Sequence, residues 1–214
     1  MMERKTRVMI VDDHEIIRMG LRKILGRFDD IEIVSEAENA EQLLQTIAAT
    51  NVDVIILDID LPGRSGLAVL SDLKTLNPVA RILLLSMFPE DTYAVRALKA
   101  GASGYVSKKA LTDELVTAIR RIAQGGTYVN AAVAEQLINE VRKPNYQEPH
   151  LGLSSREFEV LRLIASGKSV GTIAEQLSLS VHTVTTYRSR LMQKMDMKSN
   201  AELVRYALEK NIIR

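Results

Sequence analysis

Acidic, hydroxyl and basic side chains stand at the ends of four short apolar runs in the first half of the chain. The first run ends at the pair Asp12 and Asp13, the second at Asp58, the third at Ser86 and the fourth near Lys108. Carboxylate oxygens are ligands for hard divalent cations, and a hydroxyl or an ammonium group can bind phosphoryl oxygens. These residue types therefore suit a site that holds a divalent metal and a phosphoryl group.

The apolar runs are typical of buried β-strands, and helical patterns separate them. Val, Ile and Leu dominate the runs, which are nearly continuous in apolar character, as expected for strands covered on both faces. The predicted strands cover residues 8–12, 31–35, 52–58, 81–86 and 103–107. Alternating strands and helices predict an α/β fold with a doubly wound, five-stranded parallel sheet. Ligands of such sheets bind beyond the carboxyl ends of the strands, so the residues above are expected to converge there.

A polar segment with two prolines separates this region from a second, smaller one. Gly125 and Gly126 end the last α/β helix, a short helical pattern covers residues 131–141, and residues 143–149 are typical of a linker. We therefore predict an α/β domain over residues 1–125, a linker with a short helix over 126–150, and a second domain over 151–214. The second domain is predicted to be all-α with four helices; Ser154 and Glu157 have the spacing of a capping box at its first helix.

Composition limits the function classes. The chain of 214 residues has no cysteine, which excludes disulfides and thiolate metal sites. No apolar stretch approaches the roughly 20 residues that span a bilayer, and the first apolar run stops at Asp12 before an export signal could form. We therefore expect a cytoplasmic protein without a membrane partner. Residues 151–214 carry 10 Lys and Arg against 6 Asp and Glu, which hints at a polyanionic partner for that domain.

Four motifs of the first domain resemble the receiver domain of bacterial response regulators, which has a flavodoxin-like fold. They are VMIVDDH, VIILDIDLPGRSG, LLLSMF and GASGYVSK, in the family's order and spacing. The resemblance implies that Asp58 accepts a phosphoryl group from a sensor histidine kinase, and that Ser86 and Tyr105 are switch residues. It also implies that the backbone carbonyl of Asp60 ligates the metal.

The chemistry of phosphoryl transfer gives each remaining residue a predicted role. An anionic carboxylate attacks an anionic donor only when a divalent cation reduces their repulsion. We expect Asp12, Asp13 and Asp58 to hold Mg²⁺ or Mn²⁺, and Asp58 to be the attacking group. Lys108 is expected to balance the phosphoryl charge, and Ser86 to donate a hydrogen bond to the same group.

Residues 153–210 resemble the LuxR-type helix-turn-helix of the NarL/FixJ response regulators. The segments LSSREFEVLRLIASGKS, TIAEQLSLSVHTVTTYRSRLMQKM and NAELVRYA carry this resemblance. A helix-turn-helix places its second helix in the major groove, which is predicted to be the helix from residue 181 to about 195. Two departures concern DNA contacts: Thr185 replaces the family's usual Lys, and residues 170–172 replace an Asn, basic, acidic run.

Helical geometry divides that helix into two faces. Val184, Leu191 and Met195 are expected to face the domain core. The predicted DNA-contacting residues are His182, Thr183, Thr185, Thr186, Ser189, Arg190 and Lys194. By motif alignment Thr185, Thr186 and Ser189 take the base-reading positions, whereas Arg190 and Lys194 are better candidates for phosphate contacts.

These observations favour a two-component response regulator that binds double-stranded DNA and forms a homodimer on activation. The resemblance implies that the helix from residue 200 to about 208 forms the dimer contact, with Leu203, Val204 and Ala207 on its apolar side. No enzymatic activity is expected beyond self-phosphorylation and slow self-dephosphorylation of Asp58. Two alternatives remain open: a constitutive DNA-binding factor whose receiver only dimerises, and a small Mg-dependent phosphatase with an aspartate nucleophile. The Asp-x-Asp pattern of Asp58 and Asp60 raises the second, although Pro62 stands where that family has Thr or Val.

Overall fold

The chain divides into two compact units, Met1–Ala134 and Glu135–Arg214. The structure, a computed structural model, describes residues 4–87, 90–109, 112–142 and 148–213. Most of the polar segment with two prolines, residues 143–147 of 143–149, lies outside the described residues. The division between the units falls inside a helix that precedes this segment, Ala131–Arg142 (α6).

The first unit alternates strands with helices, as the apolar runs predict. Its strands are β1 (Thr6–Val11), β2 (Ile31–Ala37), β3 (Val54–Asp58), β4 (Arg81–Ser86) and β5 (Gly104–Ser107). Its helices before α6 are α1 (Glu15–Leu25), α2 (Ala40–Ile47), α3 (Gly66–Leu76), α4 (Glu90–Lys99) and α5 (Thr112–Ala123). Each predicted strand is present, with ends that differ by two residues or fewer.

The five strands of the described residues form one parallel sheet in the order β2-β1-β3-β4-β5. This arrangement confirms the predicted doubly wound sheet. The register pairs Val11 with Leu57, Asp58 with Leu85, and Ser86 with Ser107. The last residues of β1, β3, β4 and β5 therefore meet at one edge of the sheet, which is the edge that carries the candidate site.

Both faces of the sheet are covered, which explains the continuous apolar character of the strands. One face packs against α1 and α5. The cluster on that face includes Val8, Ile10, Val54, Ile56, Leu83, Leu85, Leu21, Leu25, Leu115 and Ile119. The alternate strand residues Met9, Ile55, Leu57 and Leu84 are buried on the other face. Helix α1 also buries a charged residue on its core side, Arg18.

The second unit is helical. After α6 and a short 3-10 helix at Pro149–Gly152 come α7 (Ser155–Ala165), α8 (Val170–Gln176), α9 (Val181–Met195) and α10 (Asn200–Glu209). A serine stands at the N-cap of each of these four α-helices and accepts a hydrogen bond from a backbone N–H of the first turn. The predicted capping box of Ser154 and Glu157 is confirmed. These caps set where each helix begins. The cap at Ser180 also ends the tight turn from α8 to α9.

The buried residues of α9 and α10 show which face of each helix packs against the core of the unit. Val184, Leu191 and Met195 are buried, as predicted for the core side of α9. On α10, Leu203 and Ala207 have no exposed surface. Both residues therefore pack in the core of their own unit, and their part in a dimer contact stays a prediction. Val204 is partly exposed and stays a candidate for that contact.

None of the helices that the structure describes is long and apolar enough to cross a lipid bilayer.

Candidate functional site

The acidic and basic residues predicted from the strand ends meet in one pocket. The Lys108 ammonium nitrogen lies 2.6 Å from Asp12 Oδ2 and 2.7 Å from Asp58 Oδ2. Asp12 and Asp58 are 2% and 3% exposed, so two buried carboxylates share one buried ammonium group. The unpaired negative charge of this arrangement can be balanced by a bound cation.

Charge and burial determine how the pocket ionises. Burial raises the pKa of Asp58; the hydrogen bond from Lys108 opposes this rise, and the nearby charge of Asp12 adds to it. Burial works against the charge on Lys108, but its hydrogen bonds to Asp12 and Asp58 prevail, so the pKa of Lys108 is raised. Lys108 is therefore a permanent cation at neutral pH, whereas Asp58 bears an electrostatic penalty when it is ionised.

Asp13 and His14 form the open side of the pocket. Ligand atoms of Asp12, Asp13, His14 and Asp58 all lie within 4.8 Å of one another. His14 is the N-cap residue of α1, and its Nδ1 lies 2.7 Å from Asp13 Oδ1, with its side chain 62% exposed. Its backbone N–H donates to Asp12 Oδ1 at 2.9 Å. His14 is therefore an exposed residue at the start of a helix.

The loop after β3 folds back over the end of that strand. The N–H of Gly66 donates to the carbonyl of Ile59 at 2.9 Å. A Cβ atom at Gly66 would collide with the carbonyl oxygen of Asp58 and lie 3.0 Å from its carbonyl carbon. Only glycine permits this approach, so Gly66 is required for the backbone that presents Asp58. The motif VIILDIDLPGRSG contains this glycine, and its role becomes visible only in the fold.

Ser86 and Tyr105 lie where the strand register predicts. Both are 1% exposed, and the pairing of Ser86 with Ser107 and of Leu84 with Tyr105 places them on the same face of the sheet. The carbonyl of Ser86 accepts a hydrogen bond from the Lys108 N–H at 2.8 Å. Tyr105 is thus a fully buried sheet residue. The switch roles of these two residues stay predictions, as does the metal contact of the Asp60 carbonyl.

Sequence reasoning missed a buried arginine behind this pocket. Arg18 is 6% exposed, and its guanidinium donates to the backbone carbonyl of Asp12 at 2.8 Å. It also donates to Glu38 at 2.7 Å and lies 3.4 Å from a carboxylate oxygen of Glu36. A signal was present in the sequence, because Arg18 stands three residues before Leu21 on the apolar side of α1.

In the second unit, α9 presents small polar and basic side chains outward. His182, Thr185, Ser189 and Arg190 are exposed, and Thr183 and Thr186 are partly exposed. The Thr185 hydroxyl donates to the Val181 carbonyl at 2.8 Å, and the Thr186 hydroxyl donates to the His182 carbonyl at 3.0 Å. The hydroxyl protons of both threonines are therefore used inside the helix, whereas their methyl groups are available to a partner.

Two further predicted DNA-contacting residues, Thr183 and Lys194, have side-chain partners within their own unit. The hydroxyl of Thr183 shares a 2.8 Å hydrogen bond with the hydroxyl of Ser180, at the N-cap of α9. The Lys194 ammonium donates to Glu157 Oε2 at 2.6 Å, although its side chain is 46% exposed. Burial tends to raise the pKa of Glu157, but hydrogen bonds from Lys194 and Ser154 prevail and lower it. Lys194 is thus already charge-compensated within its own unit, and its contact with DNA phosphate stays a prediction.

Comparison with known proteins agrees with both units. Residues 8–120 match the response regulator receiver domain, and residues 151–207 match the luxR family of bacterial regulatory proteins. The chain is 37% identical to the oxygen regulatory protein NreC of Staphylococcus epidermidis over 215 residues, which covers 97% of this chain and 99% of that protein. It is 36% identical to NreC of Staphylococcus carnosus, again over 97% and 99% of the two chains.

A solved structure shares the fold of the chain. RcsB from Salmonella enterica serovar Typhimurium, bound to the promoter rprA in the presence of the phosphomimetic BeF3⁻, superposes with a TM-score of 0.72. It is 26% identical and covers 94% of this chain and 98% of its own. Structure and comparison lead to one assignment. The first unit has a buried acid–lysine pocket at the sheet edge, the second has a serine-capped helix-turn-helix, and the two family matches follow in the same order. The chain belongs to the NarL/FixJ-type response regulators, which join a receiver domain to a LuxR-type DNA-binding domain.

Proposed function

We propose that Asp58 is the phosphoryl acceptor of this response regulator and that a sensor histidine kinase is the donor. The observation that carries this proposal is the contact of one ammonium group, that of Lys108, with both Asp12 and Asp58. Asp58 ends β3 at the common edge of the sheet, where the open side of the pocket is formed by Asp13 and His14. A donor can therefore approach from that side.

A divalent cation fits this pocket. Its donors are carboxylate oxygens, which Mg²⁺ and Mn²⁺ prefer, and their ligand atoms lie within 4.8 Å of one another. We assign Asp12, Asp13, Asp58 and the backbone carbonyl of Asp60 to this cation. When bound, the cation would reduce the repulsion between the carboxylate and the anionic donor.

The residues of the chain supply the rest of the reaction. A carboxylate oxygen of Asp58 forms the new bond to phosphorus while the bond from phosphorus to the donor's histidine nitrogen breaks, and that nitrogen keeps the electron pair. Lys108 exchanges part of its contact with Asp58 for the transferred phosphoryl oxygens, whose charge it balances. The buried Ser86 hydroxyl donates a hydrogen bond to the transferred phosphoryl group. Tyr105, on the same face of the sheet, is the second residue whose side chain changes position. Chemistry at Asp58 is limited to self-phosphorylation and slow self-dephosphorylation.

We further propose that the second unit binds double-stranded DNA through α9. Most outward side chains of α9 are small polar or basic ones, which suits the major groove better than a helix–helix contact. The DNA complexes of RcsB and its dimers on DNA support this use of the fold. Two copies would read half-sites about one helical turn apart, with Val204 of α10 in their contact. Phosphorylation shifts an existing equilibrium towards the DNA-binding dimer. This activity belongs in the cytoplasm, where the target DNA lies.

Phosphoryl uptake is tested with the full chain, radiolabelled acetyl phosphate and Mg²⁺. We expect an acid-stable, hydroxylamine-labile label on the wild-type protein and no such label on Asp58→Asn. Asp60→Asn is the matched control, because it keeps the backbone carbonyl and should retain the label. Equal labelling of Asp58→Asn would contradict the assignment of Asp58.

DNA binding is tested by selecting fragments from a random duplex pool with phosphorylated protein. A shared, two-fold symmetric sequence is expected, with binding that weakens as salt increases. Equal enrichment by wild-type and Asp58→Asn protein would favour a constitutive DNA-binding factor. Turnover of a simple phosphate ester without DNA affinity would favour the phosphatase alternative.

A further inference from the structure

We propose that Arg18 is a positioning residue for the acidic pocket: its guanidinium holds the backbone of Asp12 and so sets how tightly Asp12 and Asp13 bind a cation. This inference rests on the proposed metal site. Arg18 would not touch the cation or the phosphoryl group. It would act through the junction between β1 and α1, which carries both acids.

Every polar atom of Asp12 takes part in a hydrogen bond or an ion pair, and Arg18 supplies one of these contacts. The Asp12 N–H donates to the Ala37 carbonyl at 3.2 Å, and its carboxylate contacts the His14 N–H and the Lys108 ammonium. The Asp12 carbonyl is held by Arg18 at 2.8 Å, in a contact that is buried. Since metal affinity depends on ligands that are already in position, loss of one of these contacts should weaken the cation site.

Two carboxylates of the neighbouring strand fix the guanidinium itself. Arg18 donates to Glu38 at 2.7 Å and lies 3.4 Å from Glu36. Glu36 belongs to β2, and Glu38 directly follows that strand, which pairs with β1 up to Ala37 and Val11. Arg18 therefore joins the end of β2 to the residue that follows β1. Joining the two strands does not require a hydrogen bond to Asp12, yet Arg18 makes one to the backbone carbonyl of this proposed metal ligand.

Arg22 provides a matched control on the same helix. It lies one turn further along α1 and donates to the two carboxylate oxygens of Glu36 at 2.7 and 2.8 Å. It thus shares an acidic partner with Arg18, but among the described residues it makes no hydrogen bond or ion pair with Asp12. If the ion pairs with β2 were sufficient, the two arginines would be equivalent.

The experiment measures the Mg²⁺ dissociation constant of the full chain by nuclear magnetic resonance titration, at a temperature where every variant is folded. Arg18→Met is expected to weaken Mg²⁺ binding about tenfold or more, which is the usual effect of removing a residue that orients a metal ligand. Arg22→Met is expected to stay within about twofold of the wild type. A purely structural role for Arg18 would lower the melting temperature and leave the dissociation constant unchanged.

The outcomes of this experiment separate the role of Arg18 from the metal site itself. Unchanged Mg²⁺ affinity in folded Arg18→Met, or an equal loss in Arg22→Met, would overturn the role of Arg18 while leaving the metal site intact. If the wild-type protein binds no Mg²⁺, the proposed site itself fails. Should Arg18→Met not fold, Glu38→Gln takes its place, because Glu38 is 60% exposed and removing its charge loosens the guanidinium. Unchanged affinity in Glu38→Gln would then count against the inference.

Discussion

The ammonium nitrogen of Lys108 lies 2.7 Å from a carboxylate oxygen of Asp58, although 50 positions separate the two residues in the chain. The parallel register of β4 with β3 and β5 produces this contact, because it brings the ends of all three strands to the same edge. The same ammonium contacts Asp12 at 2.6 Å. One positive charge therefore compensates two buried negative charges. We expect this imbalance to lower the free energy of unfolding.

Asp58→Asn is expected to stabilise the protein at neutral pH when Mg²⁺ is absent. The folded-state pKa of Asp58 is raised above the ordinary value of 3.8, so ionised Asp58 disfavours folding, and an uncharged amide removes this penalty. The gain should be on the order of 1 kcal/mol, measured as a rise in melting temperature by circular dichroism. It should disappear as the pH falls below 3.8, where aspartate becomes protonated in both the folded and the unfolded chain.

Saturating Mg²⁺ should reduce this difference, because the cation stabilises the wild-type fold and binds the variant more weakly. Asp72→Asn is a suitable control: Asp72 forms a partly exposed ion pair with Arg64, so its loss should change stability by less than about 1 kcal/mol. A lower melting temperature for Asp58→Asn at neutral pH would contradict the electrostatic argument.

Gly66→Ala is expected to damage both stability and phosphoryl uptake. The new Cβ would collide with the backbone of Asp58, so β3 and α3 must move apart. We expect a loss of about 2–3 kcal/mol in the free energy of unfolding, measured by denaturant titration, and slower labelling by acetyl phosphate. Gly20→Ala is the matched control. Nothing among the described residues lies within 4 Å of a Cβ at Gly20 in α1, and alanine should stabilise that helix by about 0.5–1 kcal/mol. Equal effects of the two substitutions would show that the close approach at Gly66 does not matter.

The strand-end residues could be placed from sequence because two rules reinforce each other. Continuous apolar runs predict buried parallel strands, and parallel strands place their carboxyl ends at one edge. Asp12, Asp58 and Lys108 then meet whatever the details of packing. The role of Arg18 could not be found this way, because its target is a backbone carbonyl in another element. A charged residue on an apolar helix face was the only indication.

The apolar face of α10 is ambiguous for a different physical reason. Leu203 and Ala207 form an apolar helix face, and such a face looks the same whether it covers the core of its own unit or a second copy. Only the packing against the other helices of the unit shows that both residues are fully buried in their own core. Similarly, the ion pair of Lys194 with Glu157 joins residues 37 positions apart, which helical periodicity does not reveal.

Arg190 and Lys194 are expected to contribute unequally to DNA binding. Arg190 is exposed on α9, whereas Lys194 already pairs with Glu157 at 2.6 Å. Arg190→Gln should reduce the slope of log affinity against log salt by about 1, the value for one lost phosphate contact. Lys194→Gln should change the slope by less than half as much, because its charge is compensated before DNA binds. Salt-titrated fluorescence anisotropy with a selected duplex measures both, and a larger effect of Lys194→Gln would contradict this order.

Thr185 is expected to contact DNA through its methyl group. Its hydroxyl donates to the Val181 carbonyl at 2.8 Å, so the hydroxyl proton is committed to the helix, and the methyl group suits a thymine methyl in the major groove. Thr185→Val keeps a methyl group at this position and should bind a selected duplex within about threefold of the wild type. Thr185→Ser keeps the hydroxyl, loses the methyl group, and should bind about tenfold more weakly.

Replacing the contacted thymine by uracil should weaken DNA binding by the wild-type protein to a similar degree. The same replacement should add little to the loss of affinity in Thr185→Ser, as measured by anisotropy. Thr117→Ser in α5 is the control, because the Thr117 hydroxyl makes the equivalent bond to the Asp113 carbonyl in the receiver unit and should leave DNA affinity unchanged. Tighter binding by Thr185→Ser than by Thr185→Val would instead assign the contact to the hydroxyl.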